Sequence, residues 1–242
     1  MPPFPSGALL ATLLSRRWLG PSLLDVVFAM KTPSRLAFQA GQFVSMIVGR
    51  DPSGTTLKRS YSIASSSQAG ERLRFLVRII PNGLASTFLT ALELGAEVAM
   101  TGPHGFFVLN DEHAGDVVFG ATGTGAAALM PMLDDLALRS SSEKRVCFWG
   151  ARHEEDLFAR AEIDELCSRA RTDLRICLTA PPLSWPTPAQ RIGAPLLAGL
   201  PGWKKPTFYL VGNGAMIAEV KRALIDRGID RKSSIRTEAF FD

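Results

Sequence analysis

Cysteine and histidine are scarce in this chain. Three cysteines (Cys147, Cys167, Cys177) and three histidines (His104, His113, His153) are spread over 242 residues. No two cysteines have the short spacing of a zinc or iron–sulfur site, and no histidine pair has metal-ligand spacing, so no protein-ligated metal is expected. The cysteines fall in apolar or helical stretches and read as small buried hydrophobes. No serine or cysteine stands in a nucleophile–base pattern. Long apolar runs are also missing. None approaches the roughly 20 residues of a membrane span. The segment SGALLATLL (6–14) has no basic residue before it, and Arg16 and Arg17 follow it. That order is the reverse of a secretory signal, so the expectation is a cytoplasmic chain without a membrane partner. A basic helix and a basic run interleaved with aromatics are absent, which argues against nucleic acid. The GxGxxG dinucleotide fingerprint is absent as well.

What is present is ordinary globular composition, 46% hydrophobic and 21% charged, and an uneven charge. Residues 1–110 hold 10 Lys and Arg against 5 Asp and Glu; residues 111–242 hold 17 against 18. A basic first half suits an anionic ligand or partner, or a solvated surface. The same division appears in the patterning. LLDVVFAM, GQFVSMIVG, RSYSIAS, LRFLVRII and AEVAMTG are short strand-like runs punctuated by Gly, Pro, Asn and Ser. They predict a small antiparallel barrel or sandwich, interrupted by one helix at LASTFLTAL. After about residue 110, short apolar strands (DVVFGA, RVCFWGA, LRICLTA, TFYLVGN) alternate with helices. One predicted helix runs through EEDLFARAEIDELCSRA, and another through AMIAEVKRALIDRG, closed by Gly228. That alternation predicts a parallel sheet covered on both faces. The expected domains are 1–110 and 111–242.

Four stretches carry chemistry. In LKRSYSIASS (57–66), Arg59 and Tyr61 share one face of a strand, and Ser62 follows at its end. A guanidinium for phosphate, a flat ring and a small hydroxyl suit one flavin nucleotide. In IIPNGLAST (79–87), a glycine turn opens a helix, so backbone near Gly83 and the Ser86 hydroxyl form a second phosphate cradle. In GATGTGAAAL (120–129), glycines 120, 123 and 125 lie between a strand and a helix amino end, which suits a pyrophosphate. LVGNGAMI (210–217) ends another strand in the same way. Parallel strands present ligands at their carboxyl ends, so these edges and FWGAR are expected to line one crevice.

Taken in order along nearly the whole chain, these motifs resemble the ferredoxin–NADP reductase superfamily. RSYS looks like its flavin motif, FQAGQFV (38–44) the strand before it, PNGLAS its flavin-phosphate loop, and GPHGFFVL (102–109) its exit from the barrel. ATGTGAAAL resembles the nicotinamide-nucleotide pyrophosphate loop, VGNGAMI the edge facing the nicotinamide, and GARHEEDLF the adenosine side. The resemblance implies an N-terminal antiparallel FAD-binding β-barrel followed by a Rossmann-like NAD(P)-binding domain. It implies an oxidoreductase passing hydride from NAD(P)H to FAD and single electrons onward. For FAD it implies Arg59 on the phosphates, Tyr61 stacked on the ring and Ser62 at N5. Ile63, Gly83, Ala85 and Ser86 line the same ligand, and Phe240 or Phe241 of the EAFFD tail shields the flavin. For NAD(P) it implies Thr122, Gly123, Thr124, Gly125, Arg152, Gly212, Asn213 and Met216. Tyr61 and Ser62 carry the catalytic expectation. The chain departs from the family pattern at Ala128, where many relatives have proline, and at Val211, where they have cysteine. Ala180 stands where NADP-selective relatives carry arginine, which favours NADH. The implied partner is an acidic carrier such as ferredoxin or flavodoxin, or an oxygenase component, served by a monomer. Two other readings stay open: a reductase using flavin as a diffusing substrate, and a flavin-holding subunit without turnover.

Overall fold

The computed structural model describes residues 7–109, 115–139 and 142–240. The chain divides into two compact units, Met1–Phe106 and Phe107–Asp242.

The first unit is a six-stranded sheet of β1 (Leu9–Gly20), β2 (Leu23–Thr32), β3 (Phe43–Arg50), β4 (Thr56–Ser62), β5 (Arg72–Arg78) and β6 (Glu97–His104). Its order is β4-β3-β6-β1-β2-β5, and every pairing is antiparallel. The two edge strands approach one another just past β4, where Ala64 N–H donates to Arg74 O (2.8 Å). The sheet therefore curls into the expected barrel. Alternation fills it: Val44, Met46 and Val48 from β3, and Leu73, Phe75 and Val77 from β5, all point inward and are buried. Helix α1 (Leu84–Ala91) packs Leu89 into this core. The segment 6–14 contains no sequence hint of pairing, yet from Leu9 it forms β1, held between β2 and β6. The basic pair after it is used structurally. Arg16 donates to the carbonyls of Leu89 and Leu92 at the end of α1 (3.1 and 2.7 Å). Arg17 and Arg74 both reach the buried carboxylate of Asp25. Part of the basic excess is thus spent inside the fold.

The second unit is a five-stranded parallel sheet, order β11-β10-β7-β8-β9. It comprises β7 (Val117–Thr122), α2 (Ala126–Ala137), β8 (Arg145–Ala151), α3 (Arg160–Arg169), β9 (Thr172–Leu178), α4 (Gly193–Gly199), β10 (Thr207–Asn213), α5 (Gly214–Ile225), α6 (Arg231–Ser234) and β11 (Ile235–Phe240). Strands β7, β8 and β10 are buried on both faces, as continuous apolar runs require when helices cover both sides. Two details differ from the sequence reading. The helix predicted through EEDLFARAEIDELCSRA breaks. Residues Glu154–Asp156 form a single 3₁₀ turn closed by His153 and Asp156, Leu157 and Phe158 turn inward, and Ala159 at φ 44° resets the backbone before α3. The tail, read only as a shield, is a parallel edge strand on β10. Gly228 closes α5 as expected. At φ 85° it donates to Ile225 O (2.9 Å), and Ile229 N–H reaches Leu224 O (3.1 Å), the paired bonds of a Schellman stop.

The amino ends of the three central strands are gathered by one buried carboxylate. Asp116, just before β7, accepts from Lys144 N–H before β8 (2.9 Å) and from Lys204 N–H before β10 (2.8 Å). Arg145 is also buried here. Its guanidinium donates to Leu136 O and Ala170 O, the carbonyl ends of α2 and α3 (2.8 and 2.9 Å). Stranding a buried donor costs about 1–3 kcal/mol, so Asp116→Ala should lower unfolding free energy by about 3 kcal/mol in urea titrations. Asp116→Asn, which keeps one acceptor oxygen, should lose less.

Candidate functional site

In the first unit, β4 is an edge strand, and its register fixes the side chains. Arg59 lies opposite Met46 and Tyr61 opposite Val44, so both share the face that carries the core; Ser60 and Ser62 take the other face. The Arg59 side chain is exposed, and its guanidinium donates to the Lys58 carbonyl (2.8 Å), with no carboxylate partner among the described residues. Tyr61 packs half-buried against the barrel core. Burial pushes its phenol up to about 12, against a smaller opposing effect of the Arg59 charge. The ring is therefore neutral across the whole physiological range. Ser62 closes the strand.

Two expectations change here. Ile63 is fully buried, and its N–H already donates to Gln42 O (3.0 Å). It anchors the end of β4 in the core and has no side chain to offer a ligand. Ser86 is also buried, with its oxygen accepting from Ile80 N–H (2.8 Å). It locks the 80–86 turn, so its hydroxyl proton is what remains for a phosphate. Around it, α1 begins at Gly83 with no side-chain cap and no acidic residue in its first turn. The N–H groups of Leu84, Ala85 and Ser86 precede the first intrahelical bond, which Thr87 N–H makes to Gly83 O (2.9 Å).

In the second unit, the carboxyl ends of β7 and β10 come together without an intervening side chain. Gly212 sits at φ 113°, and a Cβ there would lie 2.5 Å from Thr122 Oγ1. A Cβ on Gly125 would lie 2.9 Å from Val211 O. Thr122 Oγ1 accepts from Asn213 N–H (2.8 Å), and Asn213 Oδ1 caps α5 through Met216 N–H (3.0 Å). The structure thus brings Thr122, Gly123, Thr124, Gly125, Gly212 and Asn213 to one edge. Phe240 joins them as the register partner of Asn213 in β11; Phe241 lies outside the described residues. Asn213 is already engaged through its backbone N–H and its side-chain oxygen. Met216 half-packs against the core and lends its N–H to the cap. Helix α2, by contrast, starts on Gly125 with no side-chain cap and no acid in its first turn. Val211 and Ala128 are fully buried. Arg152 is exposed on the next loop, where its carbonyl accepts from Ala180 N–H (2.8 Å).

Sequence reasoning missed Trp149. It is fully buried in β8, and its indole N–H donates to Gly123 O (3.2 Å), the first carbonyl of the glycine turn. The signal was available: an indole inside an apolar strand needs an acceptor. His153, read as a scattered histidine, has its Nδ1 3.2 Å from Ala180 O and so bridges the loops after β8 and β9.

Both anion cradles therefore fit phosphate groups. Each is a glycine-opened helix amino end that the protein leaves uncapped, and an uncapped end offers N–H donors and a positive dipole to an anion. On β4 the exposed Arg59 guanidinium lies beside the neutral Tyr61 ring.

A barrel carrying one such site and a parallel sheet carrying another define a two-domain, NAD(P)H-dependent flavin oxidoreductase. The oxidoreductase FAD-binding domain family matches residues 11–109, and the oxidoreductase NAD-binding domain family matches residues 119–222. The ferredoxin–NADP reductase B of Sorangium cellulosum is 30% identical over 92% of this chain and 93% of its own length. The chain belongs to the ferredoxin–NADP reductase family. The phenol 2-monooxygenase reductase component of a Pseudomonas strain is 30% identical over 62% of the chain, but the match spans only 41% of that protein. Among solved structures, an Amycolatopsis cytochrome P450 reductase superposes with a TM-score of 0.84 at 25% identity, covering 96% of this chain and 69% of that one. A ferredoxin NADP+ reductase from Neisseria gonorrhoeae with bound FAD and NADP shares the fold at a TM-score of 0.81, with 19% identity and coverage of 98% and 100%.

Gly212→Ala should cost on the order of 2 kcal/mol and weaken nucleotide binding, as read by thermal melting and nucleotide titration. Tyr61 gives a pH signature. Its folded pKa lies above the unfolded value, so between about pH 10 and 12 the unfolded chain releases a proton that the folded chain keeps. Stability should fall across that window, and the fall should be smaller in Tyr61→Phe when unfolding is followed against pH.

Proposed function

We propose that this chain oxidises NADH and delivers the electrons to a separate acidic one-electron carrier, such as a ferredoxin or flavodoxin, or to an oxygenase component, with FAD held on the first unit. Bound flavin supplies the exchange between hydride and single electrons. The residues of the chain supply position. Arg59 holds the FAD phosphates together with the N–H groups of Ala85 and Ser86 at the α1 amino end that Gly83 opens. Tyr61 presents an uncharged ring face, and the Ser62 hydroxyl donates to N5. The turn Thr122–Gly125 takes the dinucleotide pyrophosphate, and Gly212, Asn213 and Phe240 border the nicotinamide. Arg152 serves the adenosine half. The observation that carries this reading is the pair of uncapped, glycine-opened helix ends, one in each unit, together with the exposed Arg59 of the first unit, which meets no carboxylate among the described residues.

NADH over NADPH is supported by the surroundings of the adenosine side. The exposed acids Glu154, Glu155 and Asp156 follow Arg152 and His153, and a 2′-phosphate would meet their charge. Ala180 offers no cation. Arg191 stands 3.9 Å from Glu219. An acidic carrier is supported by Lys58, Arg72 and Arg78, which stand exposed on β4 and β5. We place the protein in the cytoplasm as a monomer, in keeping with its three free, buried cysteines. No helix among the described residues is long and apolar enough to cross a membrane.

The test is the visible spectrum of the purified protein with NADH and NADPH added to separate anaerobic samples. The expected result is a yellow protein bleached by one equivalent of nucleotide, faster with NADH. Arg59→Ala should bind FAD about 10–100-fold more weakly, the equivalent of one charge-assisted hydrogen bond. A colourless protein that oxidises NADH only with added flavin would establish flavin as a diffusing substrate. A yellow protein that neither nucleotide reduces would make the chain a subunit without turnover.

A further inference from the structure

The near-neutral balance of the second unit conceals a segregated charge. Residues 221–236 hold six Lys and Arg against two Asp and Glu, while the rest of 111–242 holds 11 against 16. The basic stretch covers the second half of α5, all of α6 and the start of β11. A trough of about 500 Å³ opens there along α5. Ile217, Ala218 and Ile225 give it apolar surface, and Lys221 and Arg222 of α5 and Arg231 of α6 give it cations.

The lining positions follow the helix period. Gly214, Ala218, Lys221, Arg222 and Ile225 fall on one face of α5, about 17 Å long at a rise of about 1.5 Å per residue. The helix turns Ile217, Val220 and Leu224 into the core, while Ala218 and Ile225 stay in water, Ile225 40% exposed. The three cations meet no carboxylate among the described residues, whereas Arg160, Arg169 and Arg175 of the same unit each pair with an aspartate. Arg222 and Asp226 both line the trough at the spacing of a helical ion pair, and they do not pair. Exposed apolar surface ringed by charge of mainly one sign marks an interaction surface. Its geometry narrows the occupant. None of the lining residues belongs to a strand, so an extended peptide would find no backbone edge to pair with. A trough walled by helical side chains suits the apolar face of another helix. Its concavity admits side chains that a flat bilayer surface does not project. The unpaired cations call for carboxylates on that helix.

We infer that this trough docks an acidic amphipathic helix of a protein partner. The helix lays its apolar face on Ile217, Ala218 and Ile225 and its carboxylates against Lys221, Arg222 and Arg231. The surface uses none of Lys58, Arg72 and Arg78, and it rests on no part of the flavin or nucleotide reading.

The probe is a fluorescein-labelled synthetic peptide of about 18 residues, long enough to hold a helix, with leucine along one face and glutamate elsewhere. It is added to the full-length, flavin-loaded protein. The expected result is a Kd of about 10–100 μM by anisotropy, weakened about tenfold between about 0.05 and 0.5 M salt. In ¹⁵N-labelled protein the amide resonances of Ala218, Lys221, Arg222 and Ile225 should shift on titration. The double reversal Lys221→Glu, Arg222→Glu should weaken binding at least about tenfold. Arg72→Glu on β5 should leave the Kd within about twofold. Reduction of the flavin by NADH should stay within about twofold in both variants, which reads docking apart from the flavin chemistry. Four results would overturn the inference: no binding of the peptide, equal binding by the double reversal, shifts confined to other resonances, or binding of phosphatidylserine vesicles in place of the peptide. None of them touches the reduction of the flavin by NADH, on which the proposed function stands.

Discussion

The second unit depends on an approach of two backbones too close for any side chain. The end of β10 passes against the turn after β7, with Gly212 facing Thr122 and Gly125 facing Val211. One hydrogen bond, Asn213 N–H to Thr122 Oγ1, holds the contact. From it follow the starting points of two helices. α5 begins immediately and is capped by Asn213 itself, while α2 begins at Gly125 and is left uncapped. Trp149 fixes the turn from the neighbouring strand, and Asp116 gathers the same strands at their far ends. Bonded through Asp116 at one end and closely packed through Gly212 and Gly125 at the other, the sheet leaves the start of α2 without a side-chain cap at its carboxyl edge.

The first unit solves a different problem, holding a charge and a ring side by side on an edge strand. Ile63 secures the strand end in the core, while Arg59 stays exposed and Tyr61 packs one part of its ring against that core. Desolvation keeps Tyr61 neutral, so the positive charge beside it stays on Arg59 alone. Other arginines of this unit are drawn into the fold, two around Asp25 and one at the end of α1, each meeting carboxylate or carbonyl oxygen. Arg59 differs because its strand is an edge and, among the described residues, it meets a carbonyl and no carboxylate.

Much of this was legible along the chain. Alternation in GQFVSMIVG and LRFLVRII gives barrel strands, and unbroken apolar runs such as RVCFWGA give a sheet covered on both faces. The glycine turns mark where helices start without a side-chain cap. Other features were not legible, because they depend on residues far apart in sequence. SGALLATLL shows its strand character only when β2 and β6 flank it. The tail becomes a strand only because β10 offers an open edge. Ser86 and Ile63 looked available to a ligand until their partners Ile80 and Gln42 were seen to engage them.

By itself the sequence determined the two-part architecture, the RSYS constellation and the glycine-opened helix ends, because these rest on local periodicity and on backbone freedom at single residues. Only the tertiary structure decided which donors remain free. Trp149 finds Gly123 across 26 residues, and Asn213 finds Thr122 across 91. Hydrogen-bond satisfaction is a property of the packed chain. A residue's chemistry is fixed by its type, but its availability is fixed by what the fold brings within about 3 Å of it.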